Sequence, residues 1–289
     1  MSQGHGCLSP CDLETPETQQ KTHFQNNEDF QMKSITTKVR NGFGTGEWAD
    51  TNRNCRIGCS NDCAYCYARA NALKDGIIAN RAAWPIEKAD DVAIAKRHFK
   101  LNGLVMFPTR HDTTPANIQY NLPYLTGLLA AGNEVLFVSK ANLSCIQEIC
   151  RQLVNFKSQL LIRVTIGSMH PLLCKFWERN APSPQERLQA LQHAHEQGFE
   201  TSVSMEPMLH GVEDAVETFR AVEPFVTEKV WIGAMNSIDT RVDKSNPNFN
   251  KAVADLKKLQ SHSELLRLHG ILKDEPKVSW KESITKLLG

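Results

Sequence analysis

Three cysteines lie close together in one short run of the sequence, Cys59-Ser-Asn-Asp-Cys63-Ala-Tyr65-Cys66. The spacing is C-x3-C-x2-C, and an aromatic residue precedes the last cysteine. Cysteine thiolates are the usual ligands of iron–sulfur clusters, and three of them in one loop can bind three irons of a [4Fe–4S] cube. The fourth iron then has no protein ligand and is free to bind a small molecule.

The sequence supports two other functions of these thiols less well. A structural zinc site would need Cys55 as a fourth ligand, and zinc ligands usually come as two pairs separated by a longer loop, which the run lacks. A disulfide framework fits poorly, because nine cysteines is an odd number and 289 residues far exceed the length of disulfide-dependent domains. Cys55 is therefore interpreted as a free or packed thiol.

The cysteine run resembles the cluster motif of the radical S-adenosylmethionine (SAM) enzymes. In that family SAM binds the open iron, and its reductive cleavage gives a 5'-deoxyadenosyl radical. The runs Cys66-Tyr67-Ala68, Glu178-Arg-Asn-Ala-Pro-Ser-Pro-Gln-Glu-Arg187 and Ser204-Met-Glu206-Pro207 are similar to the spore photoproduct lyase-like branch, including its phage-encoded relatives. The resemblance covers about residues 52–238. It implies a [4Fe–4S] cluster on Cys59, Cys63 and Cys66, SAM as cofactor, and an electron donor such as flavodoxin or ferredoxin.

Apolar runs alternate with amphipathic segments along the chain. Such an alternation is typical of a parallel sheet with helical crossovers. Together with the strand before the cysteine loop, it predicts an α/β fold, an open, partial β/α barrel of about six β/α units. The predicted strands are 104–107, 134–138, 160–166, 201–205 and 230–233, and the predicted helices are 90–100, 121–131, 143–156, 183–198 and 214–222.

Polar residues follow the predicted strands, at the edge where parallel β/α barrels bind ligands. The candidate cofactor-binding residues are Tyr65, Asp112, Ser139, Lys140, Ser168 and Glu206. With SAM as the cofactor, the Lys140 ammonium would pair with its carboxylate, and Asp112 or Glu206 would accept from its amino group or ribose. Structural ion pairs are the alternative for these three residues, and helix capping is the alternative for Ser168.

The expected substrate is a thymine-type base in DNA or in a modified nucleotide. Spore photoproduct lyase returns a hydrogen atom from a cysteine that follows an early strand, and residues 108–112 contain no cysteine. A rearrangement or isomerisation of a modified thymidine, as phage DNA hypermodification requires, is therefore favoured over lesion repair. A base in duplex DNA must leave the stack, and the candidates for flanking it are Arg110, Tyr120, Trp177 and Arg179.

Two further functions stay open from the sequence. One is a radical SAM enzyme that acts on a peptide or a small metabolite. The other is a non-catalytic iron–sulfur or zinc-binding protein. Steep salt dependence of DNA binding would separate the favoured function from the first, and turnover of SAM would exclude the second.

Composition sets the remaining expectations. The chain has 41% hydrophobic residues and a net charge of +1, so any nucleic-acid contact must come from a local patch. It has no apolar run of membrane-spanning length and no apolar signal-peptide core, which predicts a cytoplasmic protein without membrane partners, in the host cytoplasm if phage-encoded. The expected domains are a mobile polar tail at 1–32, a barrel at 33–240 with its cluster loop at 55–67, and a helical extension at 241–289 that packs on the barrel.

Overall fold

A single parallel sheet organises the protein. The computed structural model describes Ile35 and residues 44–288, so the predicted tail at 1–32 lies outside the described residues. Seven strands follow one another in the order β1-β4-β5-β6-β7-β8-β9, and every neighbouring pair is parallel. The strands are β1 Thr51–Asn52, β4 Val105–Phe107, β5 Val135–Ser139, β6 Leu160–Thr165, β7 Glu200–Met205, β8 Val230–Ile232 and β9 Val278–Trp280. A small antiparallel pair, β2 Arg56–Ile57 and β3 Lys88–Ala89, lies beside the cysteine loop.

Helices follow most strands, as the alternation of the sequence predicts. The α6 helix illustrates the local signals, because the Ser183 hydroxyl accepts from the Glu186 amide at 3.1 Å and Pro184 occupies the first turn. The helices are α1 Tyr67–Lys74, α2 Asp91–Ile94, α3 Ile118–Ala130, α4 Leu143–Gln152, α5 Pro171–Trp177, α6 Pro184–Glu196, α7 Val212–Val222, α8 Ile238–Arg241, α9 Pro247–Leu259, α10 His262–Leu272 and α11 Glu282–Thr285.

The sheet separates two hydrophobic clusters. The cluster on its outer face contains strand residues such as Val105 and Ile162 and helix residues such as Phe219 of α7, all fully buried. Its inner face holds a smaller cluster that includes Trp48 and Trp231. Both faces are therefore covered, which explains why the strands read as continuous apolar runs. The predicted open, partial β/α barrel is confirmed.

Two predicted helical regions differ from the structure. The helix expected at 90–100 ends at Ile94, and beyond it the backbone of Phe99 and Leu101 is hydrogen-bonded to the Asn133 side chain instead of to a further helical turn. The segment at 241–289 is mostly helical, as expected, but it also contains β9, which pairs with the open edge of β8. Of the four apolar residues of α10 expected to face the core, Leu265 and Leu268 are buried, whereas Leu266 and Ile271 are exposed.

No helix in the described part of the chain combines the length and the apolar character that crossing a bilayer requires.

Candidate active site

A cavity of about 590 Å³ opens at the carboxyl edge of the sheet, within the size range of ligand sites. The cysteine loop forms one wall, and the residues that follow β4, β5, β7 and β8 form the others. Its lining includes the predicted residues Cys59, Cys63, Tyr65, Cys66, Asp112, Ser139, Lys140 and Glu206. The topology thus gathers into one cavity residues that are spread over most of the chain.

The cysteine loop is held in place by its backbone. The Cys59 amide donates to the Trp84 carbonyl at 3.0 Å, and Gly58 adopts φ +95, where a Cβ would lie 2.7 Å from that carbonyl oxygen. Cys66 caps the N-terminus of α1, since its Sγ accepts from the Arg69 amide. The last cysteine of the loop is thereby fixed at the start of α1, on the cavity wall.

The donor set fits an iron–sulfur cluster. Three thiols on the wall of one cavity match the three protein-bound irons of a [4Fe–4S] cube, in which each thiolate binds a different iron. Among the described residues, no group of three His, Cys, Asp or Glu side chains is placed to hold a metal ion.

Burial keeps two of these thiols protonated when no metal is bound. Desolvation raises the pKa of Cys63 to about 12, against the opposing effect of the Lys140 ammonium. It also raises the pKa of Cys59 well above its usual range, and the neighbouring Asp112 carboxylate adds to the shift. Because metals bind the thiolate, loading of iron must release protons from this loop.

Glu178 joins the cysteine loop to the sheet. Its fully buried carboxylate pairs with Lys140 Nζ at 3.1 Å and with Arg187 Nη2 at 2.5 Å, and it accepts from the Tyr65 hydroxyl. A β-bridge also links Glu178 to Cys63. Desolvation opposes ionisation, but the two cations outweigh it and hold the pKa of Glu178 at about 2. One carboxylate therefore fixes the residues around two of the three cysteines.

Sequence reasoning placed Glu178 in a family motif but missed this role. The signal was present, because Glu178 and Arg187 are the two ends of the quoted E-x-x-A-P-S-P-x-x-R run and form an ion pair in the structure. Lys140 was expected to bind the SAM carboxylate, and its ammonium has Glu178 as its protein partner. An ammonium carries three donors, so a ligand contact for Lys140 stays a prediction.

The Asp112 carboxylate accepts hydrogen bonds at the ends of the strands. One carboxylate oxygen accepts from the Ser139 hydroxyl at 2.5 Å and the Thr113 amide at 2.7 Å. The other accepts from Asn61 Nδ2 at 2.8 Å and the Lys140 amide at 2.9 Å. Protein donors thus already occupy the lone pairs of both oxygens, which ties the cysteine loop to the end of β5. Contact of Asp112 with SAM stays a prediction.

Glu206 lies in the cavity wall and is held by a lysine from the C-terminal segment. Lys281 Nζ is 3.3 Å from Glu206 Oε2 and 2.8 Å from Glu47 Oε1, and the lysine is fully buried. Gly233 permits this approach, because a Cβ there would lie 2.9 Å from Lys281 Cβ and 3.0 Å from Glu206 Cγ. Burial raises the pKa of Glu206, and Lys281 counteracts the shift. Lys281 directly follows β9, a strand that the pattern of the sequence does not predict.

Removing the Lys281 ammonium should destabilise the fold. We expect Lys281→Met to lower the free energy of unfolding by about 2 to 3 kcal/mol, because Glu47 and Glu206 lose their common cation. Urea denaturation at neutral pH measures the change. Lys277→Met, which breaks a half-exposed pair with Glu223 at 3.1 Å, is the matched control and should cost less than about 1 kcal/mol. Equal effects of the two substitutions would contradict the assignment.

Several predicted residues lie elsewhere. Ser168 is buried outside the cavity lining, where its hydroxyl donates to Asp214 at 2.7 Å and accepts from the His170 amide at 2.9 Å. Ser168 therefore orders the turn before α5. The prediction that it binds a cofactor in this cavity is not supported by its position. Trp177, at 2% exposure, packs against Phe249.

Of the four residues expected to flank a base, only Arg110 lines the cavity. Tyr120 is 54% exposed and lies under the Arg56 guanidinium, and Arg179 is exposed near Asp62. Arg241 also lines the cavity and was not anticipated. It belongs to the short helix α8, which sequence periodicity did not reveal.

His111 lies in the cavity wall as a neutral imidazole. Desolvation lowers its pKa to about 4, and its Nε2 accepts from the Cys55 amide at 3.2 Å. The unfolded chain takes up this proton near its ordinary pKa of about 6.5, so the native state loses about 3 kcal/mol of stability as the pH falls from about 6.5 to about 4. Urea midpoints across this window should fall less steeply for His111→Gln than for the unmodified protein. Parallel profiles would show that His111 is not the group responsible.

The chain was compared with known proteins. No protein-family model matches it. The uncharacterised protein ORF301 of Acidianus two-tailed virus is 28% identical over 192 residues, which span 61% of this chain and 62% of the viral protein. A mutant of spore photoproduct lyase is 13% identical and superposes with a TM-score of 0.50 over 85% of this chain and 80% of the lyase.

The protein has the fold of spore photoproduct lyase. The fold that the resemblance of the sequence implies is thereby confirmed. Streptococcus suis SuiB bound to S-adenosylmethionine is a more distant neighbour, with a TM-score of 0.42, 10% identity, and coverage of 62% of this chain and 39% of SuiB.

Proposed function

We propose that the protein is a radical SAM enzyme that acts on a thymine-type base in DNA. The observation that carries the proposal is the position of Cys59, Cys63 and Cys66 on one cavity wall at the carboxyl edge of an open parallel sheet. The ligands of β/α barrels bind at that edge. The fold shared with spore photoproduct lyase also supports the proposal of a radical SAM enzyme.

In this proposal, the chain supplies three cysteine ligands for the cluster and a cavity for SAM. A [4Fe–4S] cluster bound to the three thiolates would deliver the electron that cleaves SAM to the 5'-deoxyadenosyl radical. Glu178 fixes Tyr65 and Lys140 beside the cysteines. In the proposed complex, the Lys140 ammonium would pair with the carboxylate of SAM. Ser139 and Glu206 provide further polar contacts from the strand ends. Burial of these groups excludes water from a reactive radical.

A rearrangement of a modified thymidine is the favoured reaction, with lesion repair as the related alternative. The lining residues after β4, Pro108 to Asp112, carry no thiol that could return a hydrogen atom to the product. A rearrangement in which the product radical retrieves hydrogen from 5'-deoxyadenosine needs no such donor. The enzyme would then be an isomerase or a lyase, with flavodoxin or ferredoxin as electron donor in a reducing cytoplasm.

The decisive experiment is SAM cleavage by the anaerobically reconstituted and reduced protein. Mass spectrometry should detect 5'-deoxyadenosine, and DNA that contains modified thymine should increase its formation and exchange deuterium with it. If a peptide or a metabolite stimulates SAM cleavage and DNA does not, the substrate belongs to that class of molecule and not to DNA. If no [4Fe–4S] absorption develops on reconstitution, the protein is not a radical SAM enzyme, and a non-catalytic metal-binding function is favoured instead.

A further inference from the structure

Two arginines in the cavity wall have no carboxylate within ion-pair distance in the described part of the chain. The cations that line the cavity are Arg110, Lys140 and Arg241. Lys140 forms an ion pair with Glu178. Within residues 44–288, Arg110 and Arg241 form no such pair, although Glu206 attracts Arg241 at longer range. The two guanidinium groups are therefore the cations of the lining that no direct ion pair to a described residue occupies.

Both arginines lie near Tyr67, which lines the cavity next to the last cysteine of the loop. The Tyr67 hydroxyl donates to the Thr109 carbonyl, immediately before Arg110. The Arg241 guanidinium carbon is 5.8 Å from the centroid of the Tyr67 ring. Burial raises the pKa of Tyr67, and the charges of Arg110 and Arg241 both oppose the shift. A ligand that binds beside this ring therefore lies near two positive charges.

Both arginines have a fixed backbone and an available side chain. The Asn54 side chain accepts from the Arg110 amide at 2.7 Å, and the Arg241 carbonyl accepts from Arg81 Nη1 at 2.9 Å. Arg110 is exposed and Arg241 half-buried. A guanidinium on a fixed backbone presents a planar fork of donors that matches a phosphate oxygen pair.

We propose that Arg110 and Arg241 bind the two phosphodiester groups on either side of the target nucleotide, while its base enters the cavity. The inference rests on the proposed function and deepens it, because it makes the substrate a nucleotide within a DNA strand rather than a free base or nucleoside. Phosphate contacts fix the register of a strand without reading its sequence. The arginines are thus positioning residues that bring the base over Tyr67 and toward the cysteine wall.

Binding of a fluorescein-labelled thymine oligonucleotide to the reconstituted protein tests the proposal. Arg110→Gln and Arg241→Gln should each weaken binding by about tenfold, and each should reduce the salt dependence of log K by about 0.7, the contribution of one phosphate on a single strand. Thymidine, which lacks a phosphodiester, should bind the unmodified protein and the variants alike. Anisotropy titrations over a range of salt concentrations provide these values.

Control variants separate charge from folding. Arg151→Gln removes an exposed arginine of α4 that pairs with Glu148 outside the cavity, and it should change neither the affinity nor the salt dependence. Arg110→Lys and Arg241→Lys keep the charge and should restore the salt dependence while recovering only part of the affinity. Glutamine variants whose salt dependence equals that of the unmodified protein would overturn the proposal.

Two further readouts exclude other anions. SAM affinity should be the same in the glutamine variants, and its loss in place of DNA affinity would assign the arginines to the SAM carboxylate. Inorganic phosphate should displace the oligonucleotide only weakly. If its affinity equals that of the oligonucleotide, the arginines form a site for free phosphate, and the proposal is wrong. Formation of 5'-deoxyadenosine without DNA reports the radical chemistry separately, so failure of the phosphate contacts is distinguishable from failure of the proposed function.

Discussion

Alanine at Cys59, Cys63 or Cys66 is expected to abolish 5'-deoxyadenosine formation, down to the background without enzyme. Each thiolate would bind a different iron of the cube, so the loss of one leaves an iron without its protein ligand. The loss of iron should be visible as weaker charge-transfer absorption and lower iron content after anaerobic reconstitution. Substantial SAM cleavage by any of the three variants would refute the assignment of the cysteine loop.

Cys55→Ala is the matched control for these variants. Cys55 is fully buried only four residues before Cys59, and its thiol donates to Asn121 Oδ1 at 3.2 Å. Burial raises its pKa to about 12, so it is a protonated packing group. The variant should lose about 1 kcal/mol of stability from this hydrogen bond and keep the cluster and SAM cleavage. Loss of the cluster from Cys55→Ala alone would instead favour a four-thiolate metal site.

Glu178→Gln should cause the largest loss of stability, about 3 to 5 kcal/mol. Glu178 is the carboxylate between Lys140 and Arg187, and its removal leaves two buried cations without an anion. The shift of the urea midpoint with an unchanged slope measures this cost. The same variant releases Tyr65 and the segment next to Cys63, so iron binding should weaken as well.

A double substitution tests the electrostatic origin of this effect. Lys140→Met alone should also destabilise the protein, because it leaves Glu178 with one cation fewer. The pair Lys140→Met and Glu178→Gln should cost less than the sum of the two single changes, since the cation and the anion disappear together. Asp239→Asn breaks an exposed pair with Lys244 and should leave the midpoint unchanged. Additive costs at residues 140 and 178 would show that packing, not charge, stabilises this part of the site.

Elements with a strong local signal were predictable. The buried strands were recognised because both faces of a parallel sheet are covered, which leaves apolar residues at consecutive positions. The α6 helix was recognised from its serine cap and first-turn proline. The strand β9, with only three half-buried residues, has no such signal, and it forms because β8 offers an unpaired edge.

The sequence by itself determined the cysteine spacing, the alternation of strands and helices, and therefore the edge of the sheet at which polar residues gather. Only the tertiary structure decided the partners of those residues. Lys140 meets Glu178, Glu206 meets Lys281, and Ser168 turns away to Asp214. Spacing along the chain fixes a local face or turn, whereas an ion pair between distant residues depends on how helices and strands pack. A buried charge is stable only with the partner that this packing brings to it.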